Sequence, residues 1–158
     1  PGRMNIFDDL PFRVIMDFAH NPDGMQKISE YVDQQVVAGR KIVAFAGTAN
    51  RADETLKNIG RAVAGHYDFY FCKEHIAINT STPRTVAHIL REALLESGVV
   101  EEQTAIKTHG KQVAFEIFDS CEPGDLLIML MGHVEKHKLP GYIREYAEKL
   151  NNNSQRKK

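Results

Sequence analysis

The chain has 158 residues, about one domain's worth, and that length can bury most of the surface its unfolded form exposes. It is 42% hydrophobic and 26% charged, with 20 Lys and Arg against 21 Asp and Glu. This composition excludes a disordered or polybasic chain, and overall charge points to neither nucleic acid nor an anionic membrane as a partner.

The chain opens at Pro1-Gly2 rather than at methionine, which suggests a trimmed chain or a domain cut from something longer, although a tag scar would look similar. The segment RMNIFDD (Arg3 to Asp9) can form a leading strand, antiparallel at a sheet edge. FRVIMDF (Phe12 to Phe18) is a short apolar run of β-rich composition, and so are KIVAFAG (Lys41 to Gly47), YDFYFCK (Tyr67 to Lys73) and DLLIMLMG (Asp125 to Gly132). TAIKTH (Thr104 to His109) is a weaker run. Near-continuous apolar runs suit strands covered on both faces, as in a parallel sheet.

Between these runs the spacing is helical. Pro22 can open a helix at its first turn, with Met25, Ile28, Tyr31, Val32 and Val36 on one face until Gly39 ends it. The next helix runs from about Asp53 to Ala64, with Leu56, Ile59, Gly60 and Val63 inward and Gly65 as its stop. A third begins at Thr82-Pro83 and carries Val86, Ile89, Leu90, Ala93 and Leu94 to Gly98. GKQVAFEIFDSC and LPGYIREYAEKL supply two more, the last through Leu150. Strand and helix alternate about five times, which predicts an α/β domain over residues 1–150. Its expected form is a Rossmann-like, three-layer arrangement: a mostly parallel sheet of about six strands with helices on both faces. The polar tail 151–158 is expected to be frayed.

The longest apolar run, LLIMLM, is far shorter than the ~20 residues that span a bilayer, and no signal-like leader is evident, so a cytoplasmic protein is expected. Cys72 and Cys121 read as reduced structural residues. Histidine spacing gives no zinc pattern of the H-E-x-x-H kind, and Lys136 and Lys138 beside His133 and His137 would repel a cation, so no metal site is assigned.

In an open parallel sheet, ligands bind beyond the carboxyl ends of the strands. Four strand ends carry candidate chemistry. In DFAHNPDG, Asp17 and His20 precede the turn Asn21-Pro22 into a helix whose N-terminus favours an anion. The plain alternative is that Asn21 is only a cap and His20 a surface imidazole. In GTANRAD, Gly47 permits close backbone approach to a ligand, Arg51 can pair with phosphate or carboxylate, and Asp53 can cap the next helix. In CKEHIAINTSTPR, Lys73 stands at a strand end and Arg84 at a helix start, an odd place for a cation unless it binds a carboxylate. His133 and Glu135 follow the last strand. No Walker A loop and no G-x-S-x-G turn occurs.

PGRMNIF, VIMDFAHNPDG and FAGTANRAD, in that order and spacing, resemble the start of the C-terminal domain of the Mur ligase family. The likeness is greatest to its cyanophycin synthetase branch and runs from Pro1 to about Leu150. The resemblance implies an ATP-dependent amide ligase. Such an enzyme phosphorylates a carboxylate to an acyl phosphate, and an amino group then displaces the phosphate. It implies ATP and magnesium in the full-length enzyme, neither bound tightly by this chain, because the P-loop and magnesium ligands lie in a central ATPase domain of the same polypeptide. The C-terminal domain closes over the nucleotide and helps bind the incoming amino acid.

By the same resemblance, Arg3 and Asp17 contact the ribose or nearby nucleotide groups. His20 and Asn21 face the phosphates, and Asn50, Arg51 and Asp53 lie near the reaction centre. Arg84 binds the amino-acid carboxylate; Lys73 and His133 are assigned to the substrate side from their strand-end positions alone. The chain departs from relatives that carry a fuller G-D-R-R-D loop or an acidic D-N-P-R motif, which leaves the amino acid open. A homo-oligomer is also left open. The rival reading is a stand-alone module that uses its strand ends to bind a small anionic ligand or a protein partner.

Overall fold

The computed structural model describes residues 3–48, 51–74, 85–130, 132 and 135–156. Among the described residues six strands form one sheet: β1 (Asn5–Phe7), β2 (Arg13–Asp17), β3 (Lys41–Ala46), β4 (Phe69–Lys73), β5 (Thr104–Lys107) and β6 (Leu126–Leu130). Five helices alternate with them: α1 (Pro22–Asp33), α2 (Asp53–Val63), α3 (Val86–Glu96), α4 (Lys111–Ser120) and α5 (Leu139–Gln155). The sheet order is β1-β2-β6-β3-β4-β5. Only β1 is antiparallel, pairing Asn5 with Met16 at the edge, as its sequence position suggested.

The strands read as unbroken apolar runs because alternate residues feed two cores. On β3, Val43 and Phe45 point to α1, α2 and α3, while Ile42 and Ala44 point to α4 and α5. On β6, Ile128 joins the first core and Leu127 and Met129 the second. The result is the expected three-layer sandwich, with every residue of β6 buried. Cys72 lies in the first core and Cys121 packs beside the second, both as free thiols, with burial pushing each up to about 12.

Several local expectations change. α1 stops at Asp33 rather than at Gly39, and Val36 is fully exposed instead of facing inward. Gly39 is needed for another reason: a Cβ there would collide with the Asp125 side chain and backbone. That contact keeps the strand-β3 lead close to Asp125, which accepts Arg40 N at 2.7 Å and Glu122 N at 2.8 Å. α5 continues through Gln155, so residues 151–155, expected to fray, are helical. The expected start of the third helix at Thr82-Pro83 lies outside the described residues, and α3 begins at Val86 after Thr85. Among the described residues no helix is long and apolar enough to cross a membrane.

Candidate functional site

A crevice opens where neighbouring parallel strands send their chains to opposite faces. β6 lies between β2 and β3. Those two strands lead into α1 and α2 on one face, while β6 leads to α5 on the other. The crevice therefore falls at the carboxyl end of β6. Register aligns the five carboxyl ends along one rim, with Asp17 opposite Leu130, Ala46 opposite Lys73 and Lys73 opposite Lys107.

The β2–α1 loop is the best-formed part of the rim. Asp17 has both oxygens engaged: Oδ2 accepts from Met4 N at 3.0 Å and Oδ1 from Ala19 N at 2.8 Å. It pins the lead of β1 against the loop and holds the turn in shape. Asn21 then caps α1, its Oδ1 accepting the Gly24 N–H at 2.8 Å, with Pro22 as the first helical residue. His20 is exposed, its Nδ1 3.0 Å from the Phe18 carbonyl oxygen; with the proton donated there, Nε2 is the free nitrogen. Arg3, Asp17, His20, Asn21, Asp23 and Lys27 line a cavity of about 350 Å³.

The electrostatics of this mouth are partly spent internally. Pro22 has no N–H, Gly24 donates to Asn21 Oδ1, and Met25 donates to the Asn21 carbonyl. Of the first turn, the Asp23 N–H remains as a donor. The Lys27 ammonium is tied to Asp23 at 2.8 Å. The helix start can thus contact an anion but offers too few donors to grip one by itself.

Two strand spacings along the rim, Arg51 donates from Nε to Thr48 Oγ1 at 2.9 Å, which fixes the guanidinium to its own loop. Asp53 is the first residue of α2 and not its cap, a place taken by Ala52 without a side-chain bond. Gly47 has a packing reason of its own, since a Cβ there would strike the Leu56 side chain and come within 3.2 Å of Val86 Cγ1. It lets α2 and α3 pack against the end of β3.

Lys73, expected to face substrate, is buried in an ion pair. Its Nζ donates to Glu135 Oε2 at 2.8 Å, and Glu135 Oε1 accepts the Gly110 N–H at 3.0 Å. Burial raises the Glu135 carboxyl, but the Lys73 charge and hydrogen bond, with the Gly110 N–H and His109, outweigh it and hold the group below the usual glutamate range. Glu74, the residue after Lys73 in the chain, is buried with Oε1 3.9 Å from His88 Nδ1 and Oε2 lacking a hydrogen-bond partner among the described residues. Asn50, Arg84 and His133 lie outside the described residues.

The structure thus brings Arg3, Asp17, His20 and Asn21 to one cavity, with Arg51 and Asp53 on the neighbouring loop of the same rim. Sequence reading missed Phe18 and Lys136. The Lys136 Nζ lies 4.9 Å from the Phe18 ring centre, across 118 positions that carry no local signal of contact.

Residues 2–133 match the family model of the Mur ligase, glutamate ligase domain. The chain belongs to this family. Cyanophycin synthetase of Trichormus variabilis is 31% identical to this Mur ligase domain over 159 residues, covering 96% of the chain and 17% of the synthetase. A UDP-N-acetylmuramoyl-L-alanyl-D-glutamate–L-lysine ligase of Staphylococcus aureus is 27% identical, over 90% of the chain and 28% of that ligase. The Mur ligase domain therefore spans less than a third of either relative. Among solved structures, E. coli FolC in complex with ADP, without folate substrate, superposes with a TM-score of 0.62 at 18% identity, over 93% of this chain and 32% of that one. That likeness concerns the fold.

Proposed function

We propose that this chain is the C-terminal domain of an ATP-dependent carboxylate–amine ligase of cyanophycin synthetase type. In this reading it closes over ATP and acyl phosphate held by a central ATPase domain of the same cytoplasmic polypeptide, and helps to bind the incoming amino acid. The observation that carries the reading is the mouth at the β2–α1 loop. There Arg3, His20 and the capped start of α1 converge on one cavity at the topological switch of the sheet. ATP, when bound, would supply the phosphoryl group that activates the carboxylate, and magnesium would come with it. Arg3, His20 and the Asp23 N–H are the groups of this chain that fit a phosphate. Asp17 is their brace, because both its oxygens already accept backbone N–H groups.

The same geometry argues that the domain is inactive alone. One spare helix N–H, one exposed arginine and one histidine can complete a phosphate site but not hold a triphosphate against solvent. Calorimetry of this chain with ATP is therefore expected to give no micromolar affinity and no phosphate release. In the longer polypeptide, His20→Ala is expected to cut ligation at least tenfold with little change in melting temperature. Micromolar ATP affinity with turnover by this chain overturns the reading, and so does normal ligation by the His20 variant. Tight capture of a small anion without turnover would instead favour a stand-alone binding module.

A further inference from the structure

Two adjacent residues of the loop after β6 reach in opposite directions along the rim. Glu135 reaches towards β4 and β5, where it receives Lys73 and the Gly110 N–H. Lys136 reaches towards β2, where its ammonium lies 4.9 Å from the Phe18 ring centre. Phe18 in turn packs against His20, ring centres 5.2 Å apart. Since consecutive Cα atoms are about 3.8 Å apart, the buried bonds of Glu135 also fix where Lys136 leaves the backbone.

The surroundings of Lys136 differ from those of the other lysines near the mouth. Lys27 is neutralised by Asp23. Lys136 has no ion-pair partner among the described residues, and an aromatic face holds an ammonium without cancelling its charge, because a ring has a quadrupole and no net charge. Backbone N–H groups occupy the Asp17 oxygens without cancelling their charge, and Arg3 together with Lys136 outweighs that single carboxylate, leaving the mouth with an excess of positive charge.

We propose that Lys136 is an anion-contacting residue of this crevice, a cation held on Phe18 and positioned by Glu135 to meet a phosphate group at the β2–α1 mouth. The inference rests on the reading of that mouth as phosphate-facing. A phosphate is favoured over a carboxylate because its oxygens radiate in several directions. It can accept from the loop after β6 and from the β2–α1 loop at once, whereas a carboxylate presents one edge. The two loops then meet through the ligand as well as through Phe18.

The test is an NMR titration of this chain with inorganic phosphate at constant ionic strength, following the amides of His20, Asn21 and Asp23. Weak but saturable shifts, with a Kd on the order of millimolar, are expected in the wild type, with affinity weakened about tenfold in Lys136→Met and retained in Lys136→Arg. Lys149→Met is the control, since Lys149 also stands over aromatic rings, those of Phe115 and Tyr146 on the α4–α5 face, and should bind phosphate as the wild type does. Glu135→Gln keeps an acceptor for Gly110 and should weaken phosphate binding several-fold, but not further when added to Lys136→Met. Wild-type affinity in Lys136→Met overturns the proposal and leaves the phosphate-facing mouth standing. An equal loss in Lys149→Met reduces the effect to bulk charge and also overturns it. Wild-type amides that ignore phosphate overturn both.

Discussion

Replacing Lys73 by methionine strands a buried carboxylate. The Glu135 side chain is 11% exposed, and its Oε2 would lose the ammonium now at 2.8 Å, which among the described residues leaves the Gly110 N–H on the other oxygen as its hydrogen-bond donor. Breaking a buried ion pair from one side typically costs about 3–5 kcal/mol, and the surviving Gly110 bond places this case near about 3 kcal/mol. For a chain of this size each kcal/mol moves the melting temperature by about 2–4 °C, so Lys73→Met should melt about 6–12 °C lower at neutral pH.

The pH dependence has a definite sign. The folded-state Glu135 carboxyl lies below its usual range, so its contribution is fully present above the unfolded pKa of about 4.3 and is lost as pH falls through the folded value. Without Lys73, burial dominates and the carboxyl takes up a proton at higher pH, which relieves the stranded charge. The gap between wild type and variant should therefore be widest near neutrality and narrow towards pH 4. Urea unfolding followed by far-UV circular dichroism at both pH values measures it. A loss under about 1 kcal/mol at neutral pH, or a gap that widens on acidification, would refute the account of this pair. The double variant Lys73→Met, Glu135→Leu should cost less than Lys73→Met alone, because no charge is left behind.

Two further substitutions probe the scaffold around the rim. Asn21→Ala removes the acceptor for the Gly24 N–H and should cost about 1 kcal/mol in urea unfolding, with Asn21→Asp close to neutral. Gly60→Ala sets a Cβ 2.7 Å from Ala93 Cβ and 2.9 Å from the Leu90 carbonyl oxygen, forcing α2 and α3 apart; a loss of about 1–3 kcal/mol is expected, and an unchanged midpoint would show that the helix pair yields freely.

The layered fold was written into the chain itself. Runs such as KIVAFA and LLIML can bury both faces only inside a sheet covered on both sides, and Asn21-Pro22 specified the start of α1 through a cap bond made within four residues. Even the rim was legible, because parallel strands must end together on one side. What the chain could not specify locally was the use of its charges and glycines. Lys73 and Glu135 are 62 positions apart and Phe18 and Lys136 are 118 apart, so only the return of β6 between β2 and β3 makes one pair a buried brace and the other an open cation. Gly39 reads as a helix stop until Asp125 occupies the space beside it, and nothing near Gly47 in the chain announces that Leu56 and Val86 pack against it. Periodicity reports which way a side chain faces; what waits for it there is settled by elements far along the chain, through packing that leaves no trace in the neighbouring letters.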